Sequence, residues 1–321
     1  MGEHPLVALG DPPRHTASAD EIKAGIELLG RFVENGVRDP SNPWAMAHGL
    51  LAFGKELRTT DGRLVIDAIV QDHLRSRPER SYDIRYFPPK TSSGFPIEPH
   101  PHLMIKAFVE AGVPLDRTFR YDEGEITLRA LIEDATRTLR RPASDKDWHK
   151  ISWLLSTLAH HPPQKGRLMT MMGPLDFKAL SFTALQRLQR DQEFLVPMFR
   201  QHRPDLVQKR RQAIYQHSCG GLHFIQAVGH AAGLYPDLQD EVRTQLDLLR
   251  FRWEAERRLY RQPADLKPRY RPILLVQELK FYGHVLETMS MAVERGIIQA
   301  DEALKAQMKA VAGDVLDTIQ A

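Results

Sequence analysis

The sequence predicts an all-α fold, an α/α barrel or toroid of about eleven or twelve helices around a central cavity. Three observations carry this prediction. Apolar residues recur at the 3.6-residue helical period along most of the chain, and the two-residue alternation of half-buried strands is nearly absent. Connectors are short and marked by Pro and Gly, the residues that stop helices. The helices are also of two kinds that roughly alternate. Segments 18–36, 125–141, 237–262 and 300–321 carry a charged face and show one side to water. Segments 43–54, 147–161, 217–232 and 279–294 hold few charges and contain Gly, Ala, Ser and His, as helices buried on most sides do. Alternating outer and inner helices are the sequence trace of a ring.

Taken in order, residues 1–17 have no helical period and are expected to be irregular, with residues 18–321 forming one helical domain. The opening string MGEHPLVALGDPPRHT has no charged region leading into an apolar one, so no secretory signal is read and a cytoplasmic location is expected. The helix at 18–36 starts on Ser18 with Glu21 three residues later, the spacing of a capping box. A second helix follows at 43–54, with Pro43 in its first turn. Residues 55–74 place a Thr-Asp-Gly turn between short extended pieces and read as helix from about Leu64. Residues 78–102 hold six prolines and four aromatics, which predicts a long ordered loop lying across the surface or over a pocket.

Helical period returns at 102–112, at 125–141 and at 144–161, where Ser144 and Asp147 again have capping-box spacing and Pro162-Pro163 ends the run. Residues 176–202 read as a helix and a shorter successor, because Pro197 removes a backbone donor. The methionines at 168–174 read as core filling or a flexible connector. The remaining helices are placed at 217–232, 237–262, 273–296 and 300–321.

Composition limits the function classes. Of 321 residues 42% are hydrophobic and 26% charged, and no apolar stretch is long enough to span a membrane. A net charge of +3 is small for this length, which argues against a nucleic-acid partner. The basic runs 208–212 and 251–261 read as solvated helix faces. A lone cysteine, Cys219, excludes an internal disulfide framework.

The strings WAMAHGLLAFG (44–54), CGGLHFIQAVGH (219–230) and FYGHVLETMSMAVERG (281–296) resemble inner helices of the α/α-toroid group, which includes terpenoid-cyclase-like folds and six-hairpin glycosidases. The resemblance implies a central funnel lined by these helices. The chain has neither an acidic cyclase motif nor the two-cysteine, one-histidine zinc pattern of lanthionine-cyclase toroids, so the likeness is one of architecture.

Histidines concentrate on the inner helices. His48 follows Trp44 by four residues and shares its face; His223 and His230 are seven apart with Gln226 between them; His284 and Glu287 are three apart. If these faces turn to one cavity, His48, His223, His284 and Glu287 form an acid–base set, and His48, His223 and His284 form a ligand set for a divalent transition metal. Trp44, Tyr82, Tyr86, Phe87, His102 and Gln226 are the expected contacts to a small-molecule or glycan ligand. His160 and His161 end their helix, where its dipole favours cations. Cys219 is either a small buried hydrophobe or a thiol assisted by His217 or His223, while Gly220-Gly221 allows a close approach of another group. The expected function is an enzyme acting on a small organic or glycan substrate by acid–base or metal-assisted chemistry. The alternative is a non-catalytic ligand-binding or scaffold protein on a helical toroid or helical repeat.

Overall fold

The computed structural model describes residues 15–79, 82–210, 212–216, 219–266 and 268–320; residues 1–14 and His217 lie outside the described residues. Helix dominates, as α1 (Ala19–Val37), α2 (Pro43–Phe53), α3 (Val65–His73), α4 (Leu103–Glu110), α5 (Leu128–Thr138) and α6 (Ser152–His160). It continues as α7 (Phe177–Gln192), α8 (Val196–Arg200), α9 (Leu222–Ala232), α10 (Gln239–Leu266), α11 (Arg271–Glu294) and α12 (Glu302–Gln320). Strands occur only as antiparallel hairpins among the described residues: β1 (Arg75–Glu79) with β2 (Tyr82–Tyr86), β3 (Thr118–Tyr121) with β4 (Gly124–Thr127), and β5 (Arg167–Thr170) with β6 (Gly173–Asp176). The chain divides into two compact units, a larger one of Glu27–Asp191 and His223–Gln245, and a smaller one of Met1–Ile26, Gln192–Leu222 and Leu246–Ala321.

The larger unit contains one motif three times, a helix, a tight reversal and a second helix. α2 leads through a short Arg58–Leu64 bridge to α3, α4 through β3–β4 to α5, and α6 through β5–β6 to α7. The copies align on Gly62, Gly124 and Gly173, each at positive φ (89°, 140° and 110°), where a side chain would be strained. Four residues on, Ile66, Leu128 and Phe177 lie in the first turn of the second helix and are at most 2% exposed. Three further on, Ile69, Leu131 and Leu180 lie on the same face and are equally buried. The residue between turn and helix caps two of the copies: Thr127 Oγ1 accepts from Ala130 N–H at 3.2 Å, and Asp176 Oδ1 from Ala179 N–H at 2.7 Å. α4 packs on both α2 and α6, while α3 packs on β3 and α5 on β2 and β5.

These hairpins revise three expectations. The helix anticipated over 125–141 starts only at Leu128, because Gly124–Thr127 pairs with Thr118–Tyr121. The methionines at 168–174 belong to β5–β6, where Leu168 points inward at 1% exposure and Met169 and Met172 are 65% and 71% exposed, so core filling fails for those two. The first part of segment 78–102 is paired strand; beyond it a tight turn at Thr91–Phe95 leads to buried Ile97 and Glu98. Both capping boxes are present: Ser18 N–H donates to Glu21 Oε2 at 2.8 Å, and Ser144 N–H to Asp147 Oδ2 at 3.2 Å. The latter opens a 3₁₀ segment, Asp145–Ile151, ahead of α6.

In the smaller unit α11 packs along α12, and the run 251–261 is not a solvated face. Arg252, Glu256 and Arg257 are buried. Arg252 Nε donates to Glu256 Oε1 at 2.7 Å, Lys209 Nζ donates to Glu256 Oε2 at 2.8 Å, and Arg252 Nη1 reaches Gly220 O at 2.7 Å. Arg257 and Arg261 meet Asp314 and Glu278 at 3.0 Å each. Acids at helical spacing are therefore internal partners for the arginines, since a charge leaves water only when paired. Gly220 makes room for this network. Its φ is 62°, and a Cβ there would lie 2.5 Å from Arg252 Nη2. Cys219 beside it is a free, buried thiol.

Candidate active site

The polar cluster of the larger unit is built on α4, α6 and α9. Helix α4 (LMIKAFVE) is buried over Leu103–Val109, so its two charges stand out: Lys106 is 1% exposed and lies one turn before Glu110. Lys106 Nζ donates to Glu110 Oε2 at 2.6 Å and sits 4.6 Å over the Trp153 ring. This pairing offsets the desolvation of both charges. The other carboxylate oxygen, Oε1, accepts from Ser156 Oγ at 3.3 Å and lies 3.7 Å from His160 Nε2.

Ser156 and His160 are four apart on α6 and share a face. Ser156 is fully buried and hydrogen-bonds His230 Nδ1 on α9; the His160 and His230 rings meet edge to face at 5.3 Å. One donor atom from each of Glu110, His160 and His230 lies within 4.8 Å of the other two. Exposure rises outward, from 2% for His230 to 16% for the Glu110 side chain and 30% for that of His160. The centre is thus open at His160.

His160 also lines a cleft of about 750 Å3, with Leu158, Ile132, His161, Arg129 and Arg167 among its walls. Burial, then His160 and Arg129, push the His161 imidazole down. The loop ahead of α4 is tied to its N-terminus by Glu98, whose carboxylate accepts from the N–H groups of His102 and Met104 at 3.0 and 2.9 Å. Burial nevertheless pushes Glu98 up to about 8 and holds His102 down to about 4.

The residues expected from the sequence are distributed as follows. The His223 ring meets Trp153 at a tilt at 4.3 Å and His100 edge to face at 5.2 Å, and it shares one face of α9 with His230. Gln226 is buried at 3% exposure between them. His48 shares α2 with Trp44, rings 4.3 Å apart, and its Nδ1 lies 2.8 Å from Trp44 O. His284 and Glu287 belong to the smaller unit, where Nδ1 lies 2.8 Å from Oε2. Tyr82 is 55% exposed with the Arg137 guanidinium 5.5 Å from its ring, Tyr86 faces Arg77 at 4.8 Å, and Phe87 is buried edge-on to Phe108. His102 caps α4 in a left-handed conformation.

Sequence reading missed Glu110, Lys106 and Ser156, and read His160 only as a helix end. One signal was available. Two opposite charges four residues apart on an otherwise apolar helix must be paired inside, and internal pairs are expensive unless function retains them. Comparison of the chain with protein-family models, curated proteins and solved structures finds no match.

Proposed function

We propose that Glu110, His160 and His230 form the centre of an enzyme that binds a divalent transition metal and works on a small organic or glycan substrate in the adjoining cleft. The observation that carries this is the meeting of three donor atoms, from three helices distant in sequence, within 4.8 Å. Two imidazoles and one carboxylate are a donor set that holds catalytic zinc and leaves a position for water. The surroundings fit an ion as well. Ser156 holds one nitrogen of His230 and Lys106 holds the far oxygen of Glu110, the kind of outer contacts that orient metal ligands. A bound metal supplies Lewis acidity and a water acidic enough to ionise near pH 7. Of the three, His160 alone opens to the cleft, so the accessible side of the centre faces a molecule bound there.

The proposal centres on these residues rather than on His48 or the His284–Glu287 pair. The His48 Nδ1 is already taken up by a carbonyl of its own helix, and His284 is closed onto Glu287. For the fold we propose an α/α toroid with α2, α4, α6 and α9 as inner helices and a central cavity. Three helix–turn–helix copies with successive first helices in contact support that reading. Among the described residues no helix is long and apolar enough to cross a membrane. We propose no nucleic-acid partner, in line with the small net charge.

Zinc titration by calorimetry tests the centre. Wild type takes up one equivalent, His160→Ala loses it, and His284→Ala keeps it. Ser156→Ala weakens it by about 10- to 100-fold, the usual cost of an outer contact. Equal uptake by wild type and His160→Ala, or none by either, refutes the metal centre. Retained ligand binding without turnover would favour the second reading, a non-catalytic binding protein, which the complete burial of Ser156 and Lys106 also suits.

A further inference from the structure

The cleft that His160 opens into carries positive charge without matching carboxylates. Three arginines line it, Arg129, Arg137 and Arg167. Arg137 is occupied: its Nη1 donates to buried Asp134 at 2.8 Å, and its Nη2 lies 3.6 Å from Glu133. Glu133, the one acid of the cleft wall, is therefore drawn toward Arg137 rather than toward Arg129 four residues earlier. Arg129 and Arg167 are exposed, and among the described residues neither meets a carboxylate.

Arg129 is also in an unfavourable place for its own helix. It is the second residue of α5, where the helix dipole repels a cation and a carboxylate would be preferred. Local stability does not explain an arginine there. Leu115, Ile132, Leu158, Pro162, Leu168 and Met169 give the wall an apolar stretch, with Thr136 and Gln164 as neutral polar members. A volume of about 750 Å3 suits a ligand of small-molecule size.

We propose that Arg129 and Arg167 form an oxyanion-binding subsite, so that the substrate is an acidic small molecule whose carboxylate or phosphate docks on the two guanidiniums while its less polar body lies against the apolar wall. Planar guanidinium groups match both oxyanions with paired N–H donors. Docking there brings the body of the molecule beside His160. The catalytic part of this inference rests on the Glu110–His160–His230 reading; the binding part does not.

The test is calorimetric titration of the full chain with gluconate, glucose 6-phosphate and glucose. Wild type binds at least one of the two acidic probes, at least tenfold more tightly than glucose, and the affinity falls as salt is raised. Arg129→Gln/Arg167→Gln loses at least tenfold for that probe and keeps the wild-type melting temperature, since both side chains are exposed. Which acidic probe binds identifies the oxyanion. Equal affinity for glucose, no binding of either acidic probe, or undiminished binding by the double variant overturns the proposal. His230→Ala separates the two readings: its ring is buried and is not among the cleft residues, so the variant keeps acidic-probe binding if the subsite is correct, whatever its zinc content. Loss of zinc with intact probe binding supports both, and intact zinc with intact probe binding removes the metal centre alone.

Discussion

Glu98 gives a stability prediction whose sign and size follow from its surroundings. Its carboxyl is buried, and the two N–H groups it accepts from do not repay the lost hydration, so it titrates at about 8 instead of 4.5. Between those pH values the folded protein holds a proton there that the unfolded chain has released. Stability therefore falls as pH rises, by about 1.4 kcal/mol per pH unit, and the full effect is about 5 kcal/mol above pH 8. Glu98→Gln keeps an acceptor oxygen and removes the titration. Urea unfolding of both proteins from pH 6.5 to 8.5 isolates the effect. His102 titrates at about 4 in the folded protein and 6.5 in the unfolded one, and because both proteins carry it, its contribution drops out of the difference between them. The stability of wild type relative to Glu98→Gln should drop by more than 1 kcal/mol across it, with most of the loss below pH 8. A difference that stays level would mean that Glu98 is ionised in the native state and that the burial argument is wrong.

Two further outcomes concern the smaller unit. Arg252→Met leaves Glu256 buried with Lys209 as its remaining partner and should cost about 3–5 kcal/mol in denaturant unfolding, whereas Arg252→Met with Glu256→Leu should cost less than the single change. Gly220→Ala forces a side chain onto a left-handed residue against the Arg252 guanidinium and should cost about 1–3 kcal/mol. In contrast, Gly283→Ala on α11 meets nothing within 4 Å and should stabilise by about 0.5–1 kcal/mol; thermal melts of the pair check both signs.

Much of the helical framework was legible because it is written locally. Ser18–Glu21 and Ser144–Asp147 announce their starts, and the poverty of charge in α2, α6 and α9 foretells their burial. The hairpins were not legible for equally physical reasons. Their strands are four or five residues long, too short for alternation to register, and Gly62, Gly124 and Gly173 are unevenly spaced, so no fixed period betrays the repeat. The candidate site was half visible. His230 was recognised as co-facial with His223, but Glu110 and His160 join it only through packing of α4 and α6, which no spacing within one helix reveals. The run 251–261 misled because acids at helical spacing look the same whether they face water or face a neighbouring arginine.

The triplicated helix–turn–helix module separates what holds from what can vary. In α4 the side chains that meet the histidines are fixed by neighbours on either flank, so their placement is set by the rods themselves. The hairpin tips, with Met169 and Met172 in the open, carry none of that burden. Lengthening or recolouring the tips would alter what approaches the cleft while leaving the distances among Glu110, His160 and His230 untouched, which makes those tips the natural place to evolve or engineer a new preference.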